Sequence, residues 1–122
     1  MCGIAALINL KGDSTLWRHI TAMTDSIRHR GPDDEGFAFF FLGSTQAMIT
    51  GGSDTPLEVY ASNLRYAPHQ SFEGDLFAGT NVALGHRRLS IIDPTPAGHQ
   101  PMCSLEVTSQ IFCNLPEPRL LA

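Results

Sequence analysis

A cysteine at position 2, directly behind the initiator in Met1-Cys2-Gly3-Ile4-Ala5, can supply both halves of a nucleophilic reaction once Met1 is removed. Its thiol is then the nucleophile and its own α-amine the base. An α-amine titrates at about 7.7–8.0 and a cysteine thiol near about 8.5, so a proton passes between them at little cost near neutral pH. Threonine with a free N-terminal amine works by the same logic, and no histidine partner is then needed. The small side chain at position 2 is of the kind that permits excision of Met1.

Two further clusters carry charge in places that chemistry could use. His29-Arg30-Gly31-Pro32-Asp33-Asp34-Glu35-Gly36 packs cations and carboxylates around a turn. It reads either as a solvated turn with loosely paired charges or as a device that holds Arg30 and points it into a site. In Leu84-Gly85-His86-Arg87-Arg88-Leu89-Ser90-Ile91-Ile92-Asp93, two arginines stand among apolar residues. On an alternating strand Arg87 and Arg88 face opposite sides, which turns one inward. A buried guanidinium needs an anion, either a protein carboxylate such as Asp93 or Asp33, or a ligand. Its planar fork fits a carboxylate bidentately, so an amino-acid substrate suits it. Gly98-His99-Gln100-Pro101-Met102 adds His99 in a proline-rich loop. A Cys–His dyad through His86 or His99 competes with the terminal amine. A metal site from Cys2, His29, His86, His99 and Cys103 lacks the close pair spacing of zinc ligands, so no metal is expected.

The elements that must position these residues follow from periodicity. Gly3 to Leu10 reads as a buried strand ended by the turn Lys11-Gly12-Asp13. Asp13 or Ser14 can cap a helix to about Arg28, with Leu16, Ile20, Met23 and Ile27 as its buried stripe and Trp17 and His19 as packing and surface residues. Gly31-Pro32 stops it. Phe37 to Leu42 is strongly strand-like. Residues 51 to 78, with Gly51-Gly52, Pro56 and Pro68, read as a long loop or insertion with little regular structure. Asn81–Gly85 and Leu89–Ile92 are predicted as two short strands flanking His86-Arg87-Arg88. Asp93 to Met102 is loop, and Leu105 to Cys113 a further strand candidate.

Composition bounds the rest. The 122 residues suit one small domain, and 43% apolar with 16% charged residues is globular. A net charge of −4 with no dense basic run argues against nucleic acid or an anionic membrane as partner. No apolar run approaches a membrane span and no signal peptide is recognisable. Three scattered cysteines suit a reducing cytoplasm.

Taken in order, Met1-Cys2-Gly3-Ile4, His29-Arg30-Gly31-Pro32-Asp33, Gly85-His86-Arg87-Arg88-Leu89-Ser90-Ile91-Ile92-Asp93 and Gly98-His99-Gln100-Pro101-Met102 resemble the N-terminal glutaminase domain of glutamine-hydrolysing asparagine synthetase, a class II glutamine amidotransferase. Amidotransferases acting on sugar phosphates or phosphoribosyl pyrophosphate share the Cys-Gly-Ile start but continue differently after the arginine-glycine segment. The resemblance implies an α+β fold, the four-layer αββα sandwich of N-terminal nucleophile enzymes, incomplete in this chain. It implies that Cys2 attacks the side-chain amide of glutamine and that Arg88 grips the α-carboxylate. Backbone near Ile91 and Ile92 would line the same pocket, and Arg30 would support it. The ammonia released would amidate aspartate in an ATP- and Mg-dependent synthetase domain, with no cofactor needed in the portion present here.

The resemblance covers residues 1–102, interrupted by 51–78, and leaves 103–122 as a divergent tail. The family's Asn-Gly-Glu-Ile-Tyr-Asn motif, source of its oxyanion hole, is missing after Met102, and Asn114 is followed by Leu115-Pro116. A later acidic residue and the synthetase domain are missing too. The expectation is a truncated or frameshifted amidotransferase or a fragment of a longer one, with an inactive remnant, or an amidotransferase serving another carboxylate, as alternatives.

Overall fold

A computed structural model describes residues 1–11, 16–43, 47–68, 77 and 79–102. Four antiparallel strands, β1 (Gly3–Ile8), β2 (Asp34–Phe40), β3 (Ala47–Gly51) and β4 (Val82–Arg88), form one sheet in the order β1-β4-β2-β3. One helix, α1 (Leu16–Ser26), packs against β1 and β4, and a single turn of helix, α2 (Leu57–Tyr60), follows β3. The mixture of helix and antiparallel sheet is the α+β class expected.

Alternation decides which side chains form the core. Ala5 from β1, Phe37 and Phe39 from β2 and Ala83 from β4 meet Leu16 and Ile20 of α1, with Phe77 stacked at 4.2 Å on Phe39. Burial of each aromatic or branched side chain contributes about 1.5–3 kcal/mol. The opposite face of β1 is open: Ile4 and Ile8 are 77% and 66% exposed. β1 is therefore a half-buried strand and not the fully buried one predicted, and it ends at Ile8 with Leu10 and Lys11 in the turn.

The helix keeps its predicted stripe at Leu16 and Ile20, but it ends at Ser26 and not near Arg28, Ile27 packs on the core just beyond it, and Thr24 replaces Met23 as the buried member. Thr24 can be buried because its hydroxyl is satisfied within the helix, donating to Ile20 O and Thr21 O at 3.1 and 2.8 Å. Its methyl lies directly over Gly85, where a side chain on β4 would collide with it. Gly85 thus lets the helix approach the sheet and sets its rotation. The predicted cap at Asp13 or Ser14 lies outside the described residues, as do residues 103–122 with the Leu105 to Cys113 candidate strand.

Two other expectations are corrected. One strand, β4, runs straight through His86, Arg87 and Arg88, where the sequence predicts a break between two strands; Leu89 to Ile92 is loop. Arg87 survives in β4 because Asp25, Glu35 and Asp54 surround it, and Arg88 because loop carbonyls and Asp34 lie beside it. Residues 51–68 are more ordered than predicted. Glu35 accepts the Asp54 N–H at 2.9 Å, Thr55 donates to Glu35 O at 2.5 Å, and α2 follows. Ala47–Gly51, which precedes this segment, is a strand that the sequence reading did not identify.

Candidate active site

Antiparallel pairing places Gly3 opposite Arg87, so Cys2, just before β1, meets the residues at the end of β4. The Leu89 N–H donates to Cys2 Sγ at 3.5 Å, and the sulfur lies 4.0 Å from Leu89 O. Cys2 is exposed, at the wall of a cavity of about 360 Å³ also lined by Met1, His86, Arg88, Ile91 and Ile92. Of the five residues singled out from sequence, Cys2, Arg88, Ile91 and Ile92 come together here. Arg30 does not line this cavity: it ends an exposed 3-10 turn, Arg28–Arg30, that faces outward.

Arg88 is held by its own loop. Its Nη1 donates to Thr95 O at 3.0 Å, its Nη2 donates to Asp93 O, and Asp34 Oδ2 stands 3.8 Å from Nη1. The neighbouring acid is thus Asp34, and the expected partners take other roles. Asp93 contributes its carbonyl, while the Asp33 carboxylate accepts the Ser90 N–H at 2.7 Å. Of the five N–H donors of a guanidinium, two serve the loop carbonyls and the rest can address an anion. Gly98 packs on the guanidinium so closely that a Cβ there would overlap it. Thr95 folds the loop back by donating its hydroxyl and its N–H to Asp93 Oδ1 at 2.6 and 2.9 Å. Those hydrogen bonds, the hydroxyl's first, lower the Asp93 pKa.

Arg87 points the other way and is spoken for. Asp25, Glu35 and Asp54 reach its guanidinium at 2.7, 2.9 and 2.5 Å. Gly31 lies against the Arg87–Arg88 peptide with no room for a side chain, which packs the His29–Gly36 turn against the end of β4.

His86 shares the cavity wall, and burial is the main cause of its lowered pKa. The charges of His99 and Arg88 lower it further, while that of Asp34 opposes them. The native state therefore favours neutral imidazole, and the unfolded chain takes up a proton first as pH falls through the ordinary value near 6.5. This contribution is fully present above pH 6.5 and is lost as pH falls toward the lower folded value. His86→Gln should lose less stability than the native chain between pH 7.5 and 5, measured by urea unfolding. Equal losses would mean that His86 charges freely in the folded state. Among the described residues the Cys2 sulfur is hydrogen-bonded only to Leu89, so neither His86 nor His99 forms a Cys–His dyad. No His/Cys/Asp/Glu group among the described residues could hold a metal, and no described helix is long and apolar enough to cross a membrane.

Two features escaped the sequence reading. The Leu89 N–H has no signature in residue type, because only strand register brings it to Cys2. Asp34 stood in a charged turn but could not be told from Asp33 and Glu35 without knowing which face it occupies.

Comparison with known proteins agrees with the motifs. Residues 68–114 match the family model of a glutamine amidotransferase domain. Over 102 residues, 84% of the chain, it is 30% identical to "Putative asparagine synthetase (glutamine-hydrolyzing) 2" of Methanocaldococcus jannaschii. The chain spans 13% of that relative's length. No solved structure matches. The ordered motifs, the glutamine amidotransferase match over residues 68–114 and this relative agree in likening the chain to the glutamine amidotransferase part of an asparagine synthetase.

Proposed function

We propose that this chain is the nucleophile-bearing part of a glutaminase that feeds ammonia to an asparagine-forming ligase. Removal of Met1 frees the Cys2 α-amine and opens the cavity wall that Met1 now occupies. The amine takes the thiol proton, the thiolate adds to the glutamine side-chain carbonyl, and the amide nitrogen leaves as ammonia carrying that proton. Water then cleaves the γ-glutamyl thioester to glutamate. Arg88 binds the α-carboxylate, the backbone at Ile91 and Ile92 borders the substrate, and Arg30 supports the surrounding turn from outside. The ammonia acceptor is β-aspartyl-AMP, made in a synthetase domain that uses ATP and Mg; the part described here needs no cofactor. The exposed apolar face of β1 is where a second sheet would complete the four-layer sandwich. A cytoplasmic setting suits the free thiol.

The observation that carries this reading is that one strand register brings Cys2 and Arg88 to the same cavity. An electrophilic glutamine analogue, 6-diazo-5-oxo-L-norleucine, should alkylate Cys2, with L-glutamine protecting it and Cys2→Ala abolishing the adduct by mass spectrometry. Labelling that survives Cys2→Ala overturns the assignment. One observation favours a second reading, a catalytically inactive remnant that binds nothing tightly: residues 103–122 do not carry the Asn-Gly-Glu-Ile-Tyr-Asn motif. Loss of one oxyanion donor costs about 10²–10³ in kcat, so ammonia release by the purified chain separates the two.

A further inference from the structure

Behind Arg88, on the side of the 93–102 loop, lies a buried acid–imidazole pair that the reaction above does not use. His99 is fully buried, and its Nδ1 sits 2.8 Å from Asp34 Oδ2, itself in a side chain only 2% exposed. The two atoms share one hydrogen bond between ring and carboxyl group. The ring rests on Gly36, where any Cβ would strike the ring and the Gln100 carbonyl. Among the described residues, two polar atoms of the pair, Asp34 Oδ1 and His99 Nε2, are buried without a hydrogen-bond partner. Leaving such atoms unpaired is costly, and the cost is tolerated where it serves a purpose.

The purpose follows from which oxygen His99 holds. Asp34 Oδ2 is also the oxygen 3.8 Å from Arg88 Nη1. A buried carboxylate beside a guanidinium is drawn into a bidentate pair, and Asp34 Oδ1 is unoccupied for the second contact. His99 claims Oδ2 first, and its loop delivers the Asp93 and Thr95 carbonyls that hold the guanidinium away. We propose that Asp34 and His99 are positioning residues that keep Arg88 from collapsing onto Asp34, so that its charge stays available to the α-carboxylate of the substrate. The second half of this proposal rests on the glutaminase reading; the first half does not.

Two variants and two measurements test it. His99→Ala frees Oδ2, whereas His99→Asn keeps an amide N–H close to where Nδ1 stands. In ¹⁵N-labelled chain, with the Arg88 side-chain N–H signal assigned by its loss in Arg88→Lys, His99→Ala should shift that signal and His99→Asn should restore it. For binding, L-glutamate is compared with 4-aminobutyrate, which lacks the α-carboxylate. The preference for L-glutamate should fall about tenfold in His99→Ala and recover in His99→Asn. A general loss of packing would weaken both ligands alike and leave their ratio intact. An Arg88 signal unmoved in His99→Ala, or a moved signal with an unchanged ligand ratio, overturns the positioning role. A signal that moves while the unsubstituted chain binds neither ligand instead overturns the glutaminase reading and leaves the hold on Arg88 standing.

Discussion

Arg87→Met should destabilise the chain by about 3–5 kcal/mol in urea unfolding, a large part of the roughly 5–15 kcal/mol that holds a typical domain together. Arg87 is 0% exposed, in the middle of the sheet, with Asp25, Glu35 and Asp54 around it. Removing the cation leaves the Glu35 carboxylate, 4% exposed, with no compensating charge among the described residues. Arg28 pairs with Asp54 at 2.6 Å and cannot reach inward to replace it, since its own side chain is 59% exposed. Breaking a buried pair by removing one partner is the costly way to lose it. Asp25→Asn is the matched control: that side chain is 65% exposed, and its loss should cost no more than about 1 kcal/mol. If Arg87→Met unfolds at nearly the same urea concentration as the native chain, the three acids relax into water and the cluster does not hold the sheet to α1.

The neighbouring substitution should act on substrate instead of stability. In Arg88→Met, alkylation of Cys2 by 6-diazo-5-oxo-L-norleucine should slow by about 10- to 100-fold, the worth of charge-assisted hydrogen bonds to a carboxylate. Alkylation by iodoacetamide, which carries no carboxylate, should keep its rate because the sulfur and its Leu89 donor are untouched. Both rates falling together would mean that the substitution has disturbed Cys2 itself, and that Arg88 is a structural tie between the sheet and the Asp93–Thr95 loop. The two arginines thus separate cleanly: the one ringed by three side-chain carboxylates is structural, and the one held by two backbone carbonyls retains donors for a ligand.

The sequence foresaw that Arg87 and Arg88 face opposite ways, since side chains on a strand alternate. Alternation alone could not assign the roles, because both arginines are buried and the deciding fact is which partners each meets. Those partners come from α1, β2, the 52–55 turn and the 93–100 loop, at separations of up to 63 residues for Thr24 and Arg87. The predicted break at His86–Arg88 failed for the same reason. Local polarity argues against a strand interior, but carboxylates from distant segments make charge tolerable there. Thr24 displacing Met23 is a smaller instance, decided by the bare backbone of Gly85.

By itself, then, the chain's order of residues determined the chemistry on offer: a thiol one residue from the terminus, a guanidinium near a loop, and the ordered motifs that resemble an amidotransferase. These are readable because reactivity belongs to residue type and motif order belongs to the chain. Only the tertiary structure decided that Cys2 lies beside Leu89, that Arg88 and not Arg30 shares its cavity, and that His99 and Asp34 stand behind that arginine as a pair. Those are facts of register and close approach, set by how a four-stranded sheet packs on one helix, and no local pattern encodes them.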